Sequence, residues 1–194
     1  IPEIWGHFNS PIKGLADLRG LKMRCYGTAG EILKKMGMST VFLPGGELYE
    51  AMQRGVIDGL EWGAAGSNYR MGFHEVSKYA YLSPVRAPTD GTGWYVTKDA
   101  WAKIDPLDQK IVIEAAKAHI VAAFGDEMVK DAEYIQKMKA YGCQVAPLPK
   151  EIDDELVRVA KEYYQQKAAA DPFYAEVVKS HFAFKELCES VGLR

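Results

Sequence analysis

From Asp105-Pro106 to Tyr141 the chain runs without a further proline, and Gly125 is the only glycine in the stretch. Asp105 offers a capping side chain and Pro106 a preset first turn. A helix of ~35 residues at ~1.5 Å each would reach ~50 Å, more than the width of one small lobe. Such an element can brace two lobes; a break at Gly125 is the alternative. The length, 194 residues, fits one large domain or two lobes.

The residues before the long run read as an α/β unit. Residues 1–14, with Pro2, Pro11 and Gly14, lack periodicity and read as an entry segment. Leu21–Tyr26 alternates apolar and polar residues and predicts a strand. Thr28 and Glu31 then form a T-x-x-E capping box, predicting a helix to about Met36 with Gly37 at its end. Thr40–Leu43 and Val56–Trp62 predict two more strands, and Glu47–Arg54 and Ser67–Val76 two helices. Alternation of short strands and helices is the pattern of an α/β layer. Residues 80–96 carry Pro84, Pro88, Gly91 and Gly93 and read as a crossing stretch ending in β-rich Trp94-Tyr95-Val96. After Gly142–Pro147, Ile152, Leu156, Val159 and Tyr163 mark one face of a further helix, and Asp171-Pro172 opens the last.

Several function classes are excluded early. Lys and Arg number 24 against 26 Asp and Glu, a net charge of −2, with no basic patch suited to nucleic acid. No apolar run approaches the ~18 residues of a membrane span. The three cysteines, Cys25, Cys143 and Cys188, are far apart and form no C-x-x-C, which argues against a zinc cluster or a disulfide scaffold and leaves room for one bridge. The four histidines form no H-x-x-x-H pair. There is no G-x-S-x-G elbow, no G-x-G-x-x-G and no G-K-[ST], although Gly27–Gly30 loosely resembles a phosphate nest.

The candidate binding residues cluster early in the chain. Arg24 lies late in a strand, just before a helix start, where a guanidinium can hold a carboxylate bidentately; a surface arginine paired with an acid is the plain alternative. Trp62 ends a strand beside the small residues Gly63–Gly66 and suits a pocket wall with its N–H as donor, or simple core packing. Tyr26 and Tyr69 are weaker candidates of the same kind. Glu61 reads as structural or metal-linked.

These residues fall in blocks that resemble the TRAP-transporter solute-binding proteins, the DctP-like extracytoplasmic receptors. Pro11-Ile12 followed by Ala16–Arg24 (ADLRGLKMR) is similar to that family's "PI…DLkGlKiR". Gly46–Gly59 (GELYEAMQRGVIDG) resembles "ElYeAlqrGviDG", Gly72–Tyr79 resembles "f.EVaKY", and Trp101…Ile104–Gln109 resembles the start of its long helix. The blocks keep their order across most of the chain.

The resemblance implies a periplasmic-binding-protein type II-like α/β fold of two lobes that close on a ligand. It implies a periplasmic protein that is no enzyme and captures a small organic acid for the membrane subunits of a sodium-driven TRAP transporter. It puts the carboxylate-holding arginine at Arg24 and a second-lobe contact at Trp62, as in members that bind 2-oxo or 2-hydroxy acids. Some of those members hold a metal ion with the ligand, which would bring in Glu61 and Trp62. They carry an acidic residue on the crossing stretch, however, where this chain has Ala87, with Asp90 three residues on as the nearest acid and a ligand candidate. No arginine precedes Arg19, which disfavours the sialic-acid type. The family also has an N-terminal segment that this sequence starts after. The expected parts are therefore a second lobe at 10–82, crossing strands at 83–104, the interlobe helix at 105–141 and C-terminal helices at 142–194. The first lobe would be incomplete, leaving apolar surface for a second copy to cover. The competing class is an effector-binding domain of a transcription regulator with the same fold. A signal peptide upstream would mark the receptor, and a helix-turn-helix the regulator.

Overall fold

The computed structural model describes residues 3–87 and 93–193. Its strands form one six-stranded sheet: β1 Ile4–Phe8, β2 Lys22–Arg24, β3 Ser39–Val41, β4 Gly59–Leu60, β5 Tyr79–Leu82 and β6 Gln144–Pro147, in the order β3-β2-β4-β1-β5-β6. β2 pairs in parallel with β3 and β4, and β5 pairs in parallel with β6. β1 lies antiparallel between β4 and β5. The entry segment read from the sequence is thus a central strand. All five residues of β1 are buried. A strand covered on both faces has no alternation to betray it. The sheet also reaches past the expected 10–82 span at both ends, taking in β1 and β6.

The helices are α1 Gly27–Lys35, α2 Leu48–Gln53, α3 Ala65–Arg70, α4 Phe73–Val76, α5 Lys98–Ala102, α6 Pro106–Tyr141, α7 Lys150–Ala170 and α8 Pro172–Ser190. The predicted helix over 67–76 is two helices, because Gly72 turns left-handed (φ 74°) between them. The capping box at α1 does not form: its cap is Tyr26, with no capping side chain. The Tyr26 N–H instead reaches the Glu61 carboxylate at 3.0 Å. Trp94–Val96 forms no strand and is exposed.

α6 runs unbroken through Gly125 for 36 residues, or ~54 Å. Asp105 caps it, accepting from the Leu107 N–H at 2.8 Å. Its C-terminal half packs on the sheet and α3 through Met138, Tyr134 and Ile135, and its Asp131 accepts from the Gly66 N–H of α3 at 2.7 Å. Its N-terminal half leaves Leu107, Ile111, Ile120, Val121 and Phe124 exposed. α7 buries Ile152, Leu156, Val159 and Tyr163, the face that the sequence marked, against α1 and β1 in the main core with Trp5, Phe8, Met23 and Leu33. α8 has no buried residue; Phe173 and Val177 are exposed and Val178 and Phe182 half-buried. The three cysteines are free thiols. Among the described residues, no helix is long and apolar enough to cross a membrane.

Candidate functional site

Sheet topology brings four charges to one edge. Arg24 ends β2, and Glu61 follows its parallel neighbour β4, with the Glu61 N–H donating to the Arg24 carbonyl at 3.1 Å. β1 runs the other way, so Glu3 at its start lies at the same edge. Arg86 leaves β5 there too, because Ile4 registers with Leu82. The carboxyl ends of parallel strands are the usual place for a ligand in an open α/β sheet. Here they open a cleft of about 300 Å³ lined by Glu3, Arg24, Tyr26, Glu61, Trp62 and Arg86.

Arg24 is 6 % exposed. Its Nη1 donates to the Glu61 carbonyl at 2.8 Å and to Glu61 Oε1 at 3.0 Å, and its Nε donates to the Leu43 carbonyl at 3.2 Å. Its Nη2 makes no hydrogen bond to a described residue. The guanidinium lies 5.3 Å from the Trp62 ring centroid and 5.8 Å from that of Phe42. Two aromatic faces favour the cation and fix its plane. The arginine is therefore ion-paired, as the plain alternative had it, but buried at the cleft rather than spread on the surface. A guanidinium that is oriented by fixed partners and keeps one unused nitrogen is preorganised to receive an anion.

Glu61, 5 % exposed, is the hub. Besides Arg24 Nη1 and the Tyr26 N–H on Oε1, it accepts from Arg86 Nη2 on Oε2 at 2.8 Å. Arg86 Nη1 donates in turn to Glu3 Oε2 at 3.1 Å. Burial opposes the charge on Arg86, but Glu61, with Cys25 and Glu3, outweighs it and holds the pKa above the usual arginine value. Burial, with Glu61 adding to it, pushes the neighbouring Cys25 thiol up to about 11. A thiol raised in this way carries little thiolate at neutral pH.

Trp62 is half-buried against Phe73, and Gly45 lets its ring approach: a Cβ at Gly45 would stand 2.5 Å from the indole. Tyr26 is 68 % exposed on the rim, its ring tilted against Phe42. The structure thus brings Arg24, Trp62, Tyr26 and Glu61 together. Tyr69 is elsewhere, stacked on His74 at 4.0 Å and packed against Tyr134 of α6. Asp90 lies outside the described residues. Sequence reasoning missed Arg86 and Glu3. One signal was available: Arg86 is the only charged residue between Lys78 and Asp90, and a lone charge in an apolar stretch needs a partner.

Behind the cleft, neutral His7 ties β1 to α3 and α4. Ser77 Oγ donates to the Phe73 carbonyl, so His7 Nδ1–H donates to Ser77 and Nε2 accepts from Asn68 Nδ2. Burial, with His74 adding to it, lowers the His7 pKa to about 3.

A mixed sheet with a buried, half-satisfied guanidinium at its strand ends has the layout of an open α/β sheet with a cleft suited to a small anion. The match to known proteins makes this specific: residues 3–171 fit the DctP family, bacterial extracellular solute-binding proteins of family 7, and the chain belongs to that family. It is 31% identical to a TRAP periplasmic solute-binding protein from Colwellia psychrerythraea, solved with bound calcium and pyruvate (TM-score 0.82, covering 97% of this chain and 58% of that one). It is 27% identical to one from Pseudoalteromonas atlantica, solved with bound sodium and pyruvate (TM-score 0.81, 97% and 58%). A curated monocarboxylate 2-oxoacid-binding periplasmic protein of Nostoc is 26% identical over 184 residues, 95% of this chain and 50% of that protein. The chain thus spans about half the length of the curated relative it matches. The comparisons support the extracytoplasmic solute-binding fold and lend nothing to the transcription-regulator alternative.

Proposed function

We propose that this chain is part of the solute-capturing component of a TRAP transporter and that it grips the carboxylate of a small organic acid through Arg24. The observation that carries the reading is the buried Arg24 guanidinium, fixed by Leu43 and Glu61 with Nη2 left for a ligand. Trp62 and Tyr26 would cover the rest of the acid from the rim. The relatives are solute-binding proteins named for 2-oxoacids or solved with pyruvate, which favours a short 2-oxo or 2-hydroxy acid here. Family membership places the protein outside the cytoplasm, where such a component hands its ligand to membrane subunits.

Closure would use the stretch 83–104 and the long α6 as hinge and brace, driven by the ligand's better contacts in the closed state. The exposed apolar row on the N-terminal half of α6 is the surface a second copy would cover. Isothermal titration with pyruvate, lactate and succinate tests the assignment. Wild-type binding that Arg24→Ala abolishes supports it, and binding indifferent to that change rejects it.

A further inference from the structure

The residues of the cleft do not suit a bound metal ion, and Arg86 is the reason. A cation of the calcium or sodium type needs several oxygen ligands; calcium takes ~6–8. The described lining offers two carboxylates. Glu61 already accepts from Arg24, from the Tyr26 N–H and from Arg86, and Glu3 accepts from Arg86. Among the described residues no group of three or more His, Cys, Asp or Glu could hold a metal ion.

Arg86 is also held firmly in place. Its side chain is 11% exposed. The next residue, Ala87, has φ 46°, and the Glu3 N–H donates to its carbonyl at 3.0 Å. An alanine in the left-handed region costs ~1–2 kcal/mol and persists where the surroundings dictate it. The turn that aims Arg86 at the cleft is therefore pinned to β1. A metal ion here would have to share each carboxylate with a guanidinium and sit beside that guanidinium, against direct charge repulsion.

We propose that this site takes its carboxylate anion without a metal ion, the Arg86 guanidinium supplying the second positive charge beside Arg24. The proposal rests on the cleft being the anion site and narrows what that site requires. Two relatives solved with pyruvate contain calcium or sodium, so this chain departs from them in its cation requirement.

The test is titration of the chelator-treated protein in sodium-free buffer with pyruvate, lactate and succinate, repeated with calcium chloride or sodium chloride restored. The expected result is an affinity for the best acid that changes by less than about twofold on adding either cation, a difference well under 1 kcal/mol. Arg86→Ala should weaken that acid by at least about tenfold, and Arg86→Lys should recover most of the loss. Affinity that appears only with calcium or sodium overturns the proposal while leaving the anion site standing. Arg86→Ala binding as tightly as wild type also overturns it. No acid binding under any condition defeats the anion-site reading and this proposal together. Circular dichroism checks that the variants fold; if Arg86→Ala does not, Arg86→Lys and the cation comparison decide.

Discussion

Glu61→Ala removes the carboxylate that two buried guanidinia share. Arg24 and Arg86 have side chains only 7% and 11% exposed, so water screens them little once the acid is gone. Breaking a buried pair by deleting one partner costs ~3–5 kcal/mol, because the remaining charge is left uncompensated. Here Arg24 loses its carboxylate, Arg86 keeps only Glu3, and the Tyr26 N–H loses its acceptor as well. For a domain of this size ~3 kcal/mol corresponds to a fall in Tm of ~6–12 °C. Differential scanning calorimetry reads this directly. A bound organic anion would replace part of the missing charge, so the ligand should raise the variant's Tm by more than the wild type's. A variant melting within about 2 °C of wild type would refute the reasoning, since it would mean the guanidinia are solvated and Glu61 is not the hub.

His7 is buried neutral with its pKa lowered to about 3. Between that value and ~6.5 the unfolded chain binds a proton that the folded chain does not, so stability rises with pH across this window and falls on acidification, by ~1.4 kcal/mol per pH unit; denaturant melts at pH 7 and pH 5 should differ by about 2 kcal/mol. His74, lowered mainly by burial, acts in the same direction, and stability unchanged over this range would contradict the account. Gly45→Ala drives a methyl into the Trp62 indole; it should weaken acid binding and shift tryptophan fluorescence while the circular dichroism spectrum holds, and normal binding would show that Trp62 does not need its present place. Cys25 and Cys143 are buried with raised pKa values while Cys188 is partly exposed; a thiol reagent should label Cys188 in the native protein and the other two only after denaturant is added.

The sequence was readable where one face of an element is wet. The α7 stripe at Ile152, Leu156, Val159 and Tyr163 and the Asp105-Pro106 start of α6 appear as expected because periodicity and capping are local properties. β1 was illegible because burial on both faces erases alternation, and its pairing with β4 and β5 is non-local. The Thr28 capping box failed because the helix already begins at Gly27 with Tyr26 as its cap, which puts Thr28 inside the first turn. The site divides in the same way. Arg24, Trp62 and Tyr26 could be picked from strand ends and from resemblance. Arg86 and Glu3 reach the cleft only because β1 runs antiparallel to its neighbours, which no local pattern encodes.

The most direct measurement is calorimetric titration of wild-type protein and Arg24→Ala with the best-binding short organic acid. Removing a guanidinium that pairs with a desolvated carboxylate costs ~2–5 kcal/mol of binding, at least about a thirtyfold loss of affinity. A loss of that size, with Arg24→Lys recovering only part of it because one ammonium cannot copy the guanidinium's fork, is the predicted result. Equal affinities for wild type and Arg24→Ala would contradict the claim that this arginine holds the acid.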